Sequence, residues 1–551
     1  MKKLLLLAIL FCNTLHAQYV FRCYHLPQYY GDADCNNFAE FGSNMIFASK
    51  SINGGHAPWM SDGTEKGTHL IANITSQNSN VEYFLTFNPA NPTAFFRIVN
   101  TNGFQPWVTN GTAANTFALN TNDILSWFPD SNKLLFTLRP ATGGYLYTLW
   151  ETDGTLAGTT LIKQLPTSNY YGFSQILGKF AGKIFLQAND SVHGSELWVT
   201  DRTTAGTVLF KDFNPGAGSG GALCMYPLGI IALMVADDGI HGKELWKTDG
   251  TAAGTVMVKD INPGSASGCS NSYATQSYSF RGTVPMNAIK YGDNLLFAAD
   301  DGTSGIELWL SDGTTGGTQL VADIYTGMRS SYPNAFVEYN GLVYFQATDG
   351  SNGQELWVTN GQASGTHMVK DILPGAGNSI PHGFCVYDSL LFFIANNTSV
   401  YDKQLFRTNG TAAGTYKIAP PGNSSINPLL NADYLFPFKN RLFFCANYDT
   451  VYNSNLWVLQ DSVSAAGVEI TEQPSSFTIY PNPNGGTFTI ETNNDFKTGS
   501  VSVYDMLGRE IYHSQIPNHQ FQITISNQPK GIYLVKLQLD DVVLTKRVMV
   551  Q

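Results

Sequence analysis

Charge is scarce in this chain. Of its 551 residues only 13% are Asp, Glu, Lys or Arg, against about 25% in ordinary soluble domains. A basic excess is missing too: 42 acidic side chains face 31 Lys and Arg, a net charge of −11. That excludes nucleic acid as the main partner, because a phosphate backbone demands a basic face that displaces its counterions. Beyond the N-terminus there is no long apolar run, so no segment reaches the ~20 residues that cross a bilayer as a helix. No stretch keeps a 3.6-residue period, which excludes helical bundles and helical solenoids. Cys-x-x-Cys, a P-loop lysine motif and His-Glu-x-x-His are all absent, and with them the zinc and phosphate chemistry those spacings serve. What is abundant is glycine, at 53 residues, and aromatic side chains, at 13%. With Asn and Thr, these compose strands and turns rather than helices. The aromatics also exclude a disordered chain. Length alone suggests about three or four domains, unless an all-β fold runs on as one unit.

The two ends differ from the middle. The first 18 residues, MKKLLLLAILFCNTLHAQ, join two lysines, an apolar stretch from Leu4 to Phe11 and a small-residue region ending near Ala17. They read as a secretory signal peptide over 1–18. Its removal leaves six cysteines: Cys23, Cys35, Cys224, Cys269, Cys385 and Cys445. An even number in an exported chain permits disulfides, and six cysteines allow 15 connectivities. Cys23 and Cys35 are nearest in sequence, while Cys224 and Cys269 occupy similar loops of successive repeats. At the other end, from Phe477, alternating apolar residues broken by Gly, Pro and Asn predict a small antiparallel sandwich over 477–551, after a linker at 466–476. Its ordered motifs are Tyr480-Pro481-Asn482-Pro483, Gly486 with Phe488, Val503-Tyr504-Asp505 with Gly508, Gly531-Ile532-Tyr533, and Lys546-Arg547. This segment resembles the type A C-terminal sorting domain of the Bacteroidetes type IX secretion system. The resemblance implies outer-membrane export through that machinery, to a secreted or outer-surface location.

Between the ends one motif recurs, Glu-Leu-Trp-x-Thr-Asp-Gly-Thr-x-x-Gly-Thr, often followed by Val-Lys-Asp-Ile. Its anchor aromatics are Trp59, Trp107, Trp150, Trp198, Trp246, Trp309, Trp357, Phe406 and Trp457, spaced by 48, 43, 48, 48, 63, 48, 49 and 51 residues. The 63-residue step holds an insertion around 270–288. Within one unit, Asn334–Tyr339, Leu342–Ala347, Glu355–Thr359 and Thr366–Ile372 are four short apolar segments bounded by turn residues. Four strands in ~45–50 residues is the period of a β-propeller blade. The fold class is therefore all-β: a large propeller of about 8–9 four-stranded blades over 19–465, in nine repeat units, then the small C-terminal sandwich. The last unit lacks its fourth strand, and Tyr19–Tyr24 is a spare one. We expect that strand to complete the last blade and close the ring, which removes exposed edges.

A hairpin centred after Asp-Gly places Thr248 opposite Thr255, Trp246 opposite Met257 and Glu244 opposite Lys259. The same offset pairs Glu196 with Lys211 and Glu355 with Lys370, giving cross-strand ion pairs on the Trp face. Glu307 opposite Ala322 and Thr148 opposite Lys163 break that pattern. A second repeated loop is Asp-rich: Asp237-Asp238-Gly239, Asp300-Asp301-Gly302 and Asp349-Gly350. Plain turn chemistry accounts for it. Oxygen-rich loops also suit calcium, for which the candidate ligands are Asp237, Asp238, Asp300, Asp301 and Asp349, although the spacing is not that of an EF-hand. No other cofactor is expected.

The middle region, about 40–460, resembles the Glu-Leu-Trp-x-Thr-Asp-Gly-Thr repeat proteins of bacterial surfaces. The string Gly242-Lys243-Glu244-Leu245-Trp246 also resembles a quinoprotein blade signature, but it occurs in full once, which does not establish a quinone site. An enzyme should carry singular residues that break the repeat. Gly216-Ala217-Gly218-Ser219-Gly220 lacks the strand-to-helix elbow of a hydrolase nucleophile. Ser61-Asp62-Gly63-Thr64 has its Trp on the wrong side for a sialidase Asp-box. His193 and His241 stand at matching loop positions and read as solvated loop residues. Asp190-Ser191-Val192, Asp388-Ser389-Leu390, Asp449-Thr450-Val451 and Asp461-Ser462-Val463 resemble a Bacteroidetes O-glycosylation sequon. No catalytic residue emerges. The expectation is a non-enzymatic surface or extracellular propeller that binds, adheres or scaffolds, with a glycan or surface protein as ligand. The alternative is a secreted hydrolase or lyase acting on polysaccharide, marked by a non-repeated polar cluster at one mouth of the channel; a quinone- or calcium-dependent oxidoreductase comes third.

Overall fold

The computed structural model describes residues 19–24, 26, 33–51, 53–74, 79–88, 91–101, 103–140, 146–166, 175–269, 287–399, 402–420, 428–429, 434–448, 454–461, 477–482, 484–492, 498–505, 509–516, 518–525, 527–539 and 542–550. The signal sequence, the insertion at 270–286, the linker, Asp449-Thr450-Val451, Ser462, Pro483 and Gly508 lie outside them. The chain divides into two compact units, Met1–Ser462 and Val463–Gln551.

In the first unit, nine four-stranded antiparallel sheets follow one another. We number the blades 1 to 9: 36–70, 80–118, 123–166, 175–211, 226–259, 288–322, 334–370, 382–418 and 436–461. In blade 7 the strands are Asn334–Tyr339, Leu342–Ala347, Glu355–Thr359 and His367–Lys370. The first three coincide with the segments marked out by turn residues. Blade 9 has only three strands of its own, and Tyr19–Tyr24 supplies the fourth, antiparallel to Asn455–Asp461 with Cys23 opposite Trp457. The first strand of blade 9 also touches that of blade 1. The unit is therefore a closed β-propeller.

Each blade is built around one pair. The anchor aromatic of the third strand faces a large apolar side chain of the second: Phe47 with Trp59, Phe96 with Trp107, Phe297 with Trp309, Phe345 with Trp357, Phe393 with Phe406. Those five phenylalanines are fully buried, and the stacked sheets share their cores from blade to blade.

The outer turn explains the rest of the motif. Asp249 Oδ1 accepts the N–H and the hydroxyl of Thr251, at 2.8 and 2.7 Å, and Thr251 Oγ1 accepts the Gly254 N–H at 2.9 Å. Thr248 and Thr255 join hydroxyls at 2.7 Å. Gly250 has φ +90°, in the left-handed region, and a Cβ on Gly254 would sit 2.2 Å from the Asp249 carboxyl. Two glycines at fixed places thus follow from one backbone conformation and one close approach.

Two of the expected hairpin pairs are present, Trp246 opposite Met257 and Thr248 beside Thr255. The expected ion pairs are not. A bulge between Leu245 and Trp246 shifts the register, so Lys259 lies opposite Leu245 rather than Glu244. The same slip puts Lys211 opposite Leu197 and Lys370 opposite Leu356, away from Glu196 and Glu355. Because the strand period is two, one inserted residue moves a side chain to the other face. Two of these lysines instead reach the next blade: Lys259 Nζ donates to Thr318 O at 2.8 Å and lies 5.5 Å from the centre of the Trp309 ring. Lys370 donates to Thr415 O at 2.6 Å.

The glutamates have a different task. Glu244 is wholly buried and accepts the N–H groups of Ile261 at 2.8 Å, Asn262 at 3.4 Å and Gly268 at 2.6 Å. Glu196, Glu307 and Glu355 repeat this in blades 4, 6 and 7, taking Phe213 and Gly220, Ile324 and Ser331, and Ile372 and Ser379. Each carboxylate fastens the loop that leaves its blade, satisfying donors that would otherwise be buried unpaired. Burial pushes each of these carboxyls up to about 7, although the donated N–H groups pull the other way.

The second unit holds a three-stranded sheet of Phe477–Tyr480, Thr487–Thr492 and Gln520–Thr524 and a four-stranded one of Glu510–Gln515, Gly499–Tyr504, Gly531–Leu539 and Val542–Val550. Their inner faces share a core of Phe477, Phe488, Val501, Val535 and Leu537. The motif residues tie its ends: Asn482, after Pro481, donates to Arg547 O and accepts the Met549 N–H at 2.8 Å. Gly531 opens its strand opposite Val550, the Tyr533 hydroxyl donates to Pro529 O, and Lys546 Nζ lies 5.6 Å from the Phe477 ring centre.

Candidate binding channel

The first strand of every blade is a sheet edge, and these inner strands approach one another around the axis. Side chains bridge some of these edges: Asn37 Nδ2 donates to Val81 O of the next inner strand at 3.3 Å, and the Ile176 N–H donates to Ser126 Oγ at 3.1 Å. Many carry a bulge: the register slips between Asn36 and Ala39, Glu82 and Leu85, Asn334 and Val337, and His382 and Cys385. The residues there adopt positive φ, +54° for Asn37, +57° for Tyr83 and +56° for Ala335. A bulky aromatic in that region is strained, and such strain is held only where surroundings over-determine it. At Tyr83 the surroundings are the Arg97 guanidinium, 4.8 Å from the ring centre, and Trp127 at 5.9 Å. Arg97 is itself held by Glu82 and by Phe104.

A cavity of about 720 Å³ occupies the channel against blades 1 to 5 and 9. Its lining includes the aromatic side chains Phe38, Tyr83, Phe84, Trp127, Phe128 and Phe436. Phe38 stacks on Phe436 across the closure between blades 1 and 9, at 5.8 Å and 16°. The charged groups on this wall are Glu40 and Lys179.

One departure from the repeat stands beside Lys179. In blades 1, 2, 3 and 7 the turn glycine packs on the aromatic that ends the inner strand of the preceding blade. A Cβ there would lie 3.4 Å from Phe438 at Gly63, 3.1 Å from Phe41 at Gly111, 3.4 Å from Phe87 at Gly154 and 3.5 Å from Tyr291 at Gly361. In blade 4 both partners change together. The turn reads Thr200-Asp201-Arg202-Thr203, with Arg202 at φ +74°, and the inner strand of blade 3 ends in Asp130. Arg202 pairs with Asp130, which also takes Lys179 at 2.9 Å; Glu151 lies 3.9 Å from Arg202 and 2.6 Å from Lys133. Burial alone would raise the Asp130 carboxyl, but the Lys179 hydrogen bond and the Arg202 charge outweigh it and hold it below its usual range. Sequence reasoning missed this cluster. Its signal was the one Asp-Arg in a line of Asp-Gly and Asn-Gly turns.

The calcium candidates are occupied by local bonds. Asp238 Oδ1 accepts the N–H groups of Ile240 and His241 and its other oxygen takes the His241 ring at 2.7 Å. Asp301 takes Thr303 and Ser304, Asp349 takes Ser351 and Asn352, and Asp237 and Asp300 take Gly239 and Gly302. Among the described residues no three His, Cys, Asp or Glu side chains come together as a metal site would require. His193 repeats the arrangement of His241, bonded to Asp190 at 2.7 Å.

No curated protein matches the chain. Among solved structures of similar fold is PorZ, a bacterial surface component of the type-IX secretion system of Porphyromonas gingivalis, at 10% identity and TM-score 0.30, covering 94% of this chain and 81% of that one. Prolyl endopeptidases match at 10% identity and TM-score 0.40, over 85% of this chain and 55% of theirs. The extracellular domain of a hybrid two component system from B. thetaiotaomicron matches at 8% and 0.31, over 96% and 76%. At these values the likenesses say nothing of what this chain binds or does. The sorting segment is another matter: residues 478–551 match the family described as Secretion system C-terminal sorting domain. The protein is thus secreted to the cell surface, addressed there by a type IX sorting domain at its C-terminus.

Proposed function

We propose that this is a non-enzymatic binding protein of the bacterial surface, and that its ligand is a carbohydrate held in the propeller channel. The observation that carries this reading is the channel wall itself. Aromatic rings line it beside the polar side chains of Asn37, Glu40, Thr86 and Lys179, a pairing that suits the apolar faces and hydroxyl rims of sugars. The Asp130–Arg202–Lys179 cluster gives one rim a fixed polar anchor. The resemblance of the middle region to repeat proteins of bacterial surfaces agrees with this role. The singular cluster is an ion-pair network whose carboxylates face cations, and that arrangement suits holding a ligand better than moving protons.

The intact secreted chain on a glycan array tests the reading, beside Phe38→Ala and Phe84→Ala. Binding to one class of oligosaccharide, weakened about two- to tenfold in each variant, is the expected result, since a lost stacking contact is worth about 0.5–1.5 kcal/mol. Binding unchanged in both variants would move the ligand out of the channel. Release of reducing ends from any bound polysaccharide would make the protein an enzyme.

A further inference from the structure

The ring is closed by hydrogen bonds and packing at one seam, between blade 9 and blade 1. The Tyr19–Tyr24 strand completes blade 9, and the chain then crosses to the first strand of blade 1, which begins at Asn36. Just before that strand, Ala33 N–H donates to Ser454 O at 2.6 Å, laying the crossing against blade 9. Cys35 follows. Its backbone N–H points at the sulfur of Cys445 at 3.1 Å, and its own sulfur lies 3.4 Å from the Ser49 hydroxyl of blade 1. Cys445 belongs to the second strand of blade 9, Arg441–Ala446. Both cysteines are free thiols in this structure. Only 1% of Cys35 and 2% of Cys445 is exposed.

We propose that Cys35 and Cys445 form a disulfide in the secreted protein, a covalent clasp across the propeller seam. Three features support it beyond proximity. The cysteines come from opposite sides of the seam, so the bond joins residues 410 apart, where a cross-link constrains the unfolded chain most. The protein is secreted, and exported chains meet an oxidising environment in which thiol pairs become disulfides. Both sulfurs sit in an apolar cluster with Phe47, Trp59, Phe444 and Trp457, which would shield the bond from exchange. The neighbouring Cys35 thiol and burial raise the Cys445 thiol well above its ordinary range, so exchange is slow once the seam is shut and the bond must form as the ring closes.

The step balances as thiol–disulfide exchange with a disulfide-carrying oxidoreductase. A thiolate of the pair attacks the oxidant's disulfide and expels one of its thiolates. The second cysteine then attacks the mixed disulfide and expels the other. Two protons and two electrons leave the pair, the Cys35–Cys445 S–S bond forms, and the oxidant becomes a dithiol.

The test is peptide mapping of the full secreted chain, unfolded in guanidinium with iodoacetamide and digested without reductant. A cross-linked peptide containing Cys35 and Cys445, two hydrogens lighter than the sum of its parts and split by reductant, is expected. Both cysteines recovered as alkylated thiols, or either joined to another cysteine, would overturn the proposal. Cys35→Ala and Cys445→Ala singly, and the double variant, should lower the unfolding midpoint by the same amount, because each removes the same bond. If a variant does not fold, the wild-type map alone decides. Additive losses in the two single variants would mean two separate packing roles and no bond.

Discussion

The outer and inner halves of each blade obey different rules. The outer hairpin is nearly the same from blade to blade: a buried aromatic, an Asp or Asn that caps a turn, a glycine beneath it and a hydroxyl pair. The inner strand varies, with Phe38 and Glu40 in blade 1, Tyr83 and Thr86 in blade 2, Trp127 and Pro129 in blade 3, Leu177 and Lys179 in blade 4. Repetition marks positions that a backbone conformation dictates, and a ring needs those in every blade. Variation marks positions that the backbone leaves open, and these are the ones that line the channel. The comparison breaks if outer substitutions prove cheap or inner ones prove costly for stability.

The largest expected effect is at the buried glutamates. Glu244→Ala strips the acceptor from the N–H groups of Ile261, Asn262 and Gly268, and should cost about 3 kcal/mol in denaturant unfolding, while Glu244→Gln, which keeps one oxygen, costs about 1. The same groups set a pH dependence. Their folded carboxyls titrate at about 7, above the ordinary 4.5, so the folded state binds the proton more tightly than the unfolded one. Their contribution to stability is then complete below pH 4.5 and is lost as pH rises through 7. Asp153, Asp201, Asp249 and Asp312 run oppositely: threonine hydrogen bonds hold them below the ordinary 3.8, so their contribution is present above that value and falls away in acid. Stability should peak near pH 4 to 5 on these terms, and Glu244→Gln should flatten the decline toward pH 8. A flat profile between pH 5 and 8 in the wild type would contradict the buried carboxyls.

Much of this was legible in the sequence. The four-strand unit, the register of Trp246 on Met257 and the missing strand of blade 9 all followed from spacing and turn residues, because period-two alternation and Asp-Gly turns act locally. The error at Glu244 and Lys259 has a physical cause: a one-residue bulge leaves no compositional trace, yet it reverses every side chain beyond it. The Asp130–Arg202 exchange joins residues 72 apart. It became visible only when neighbouring blades showed which glycine touches which aromatic.

Next in size is a glycine contrast inside one turn. Gly317 lies under Asp312, where a Cβ would come within 2.1 Å of the carboxyl, whereas at the adjacent Gly316 nothing lies within 4 Å. Gly317→Ala should cost about 2 kcal/mol and Gly316→Ala less than about 0.5. Equal effects would mean that glycine serves there for chain flexibility rather than for clearance.

At blade 4 the two halves meet, and the expected net effect is smaller. Arg202→Gly relieves a left-handed residue, worth about 1 kcal/mol, and loses an ion pair of similar worth, leaving Asp130 to Lys179 alone. Pairing it with Asp130→Phe restores the glycine-on-aromatic contact of blades 1, 2, 3 and 7. The double variant should match wild-type stability within about 1 kcal/mol and show a coupling between the two sites in a double-mutant cycle, while glycan binding falls. Retained binding would make the cluster part of the scaffold and not of the site.

The smallest effect belongs to the most repeated residue. Trp246 fills the centre of blade 5 against Met234, but its indole N–H is buried with no acceptor among the described residues, as are those of Trp59, Trp198 and Trp309. Trp246→Phe gives up apolar area and contacts, and it also removes a buried donor whose desolvation is uncompensated. The opposing terms are each about 1–2 kcal/mol, so the change in unfolding free energy should stay within about 1. Blade 8 already carries Phe406 at this position, packed on Phe393 at 5.6 Å. A loss above about 3 kcal/mol would mean that the indole edge has a partner and that shape complementarity to Trp, not aromatic bulk, keeps this residue in eight of the nine blades.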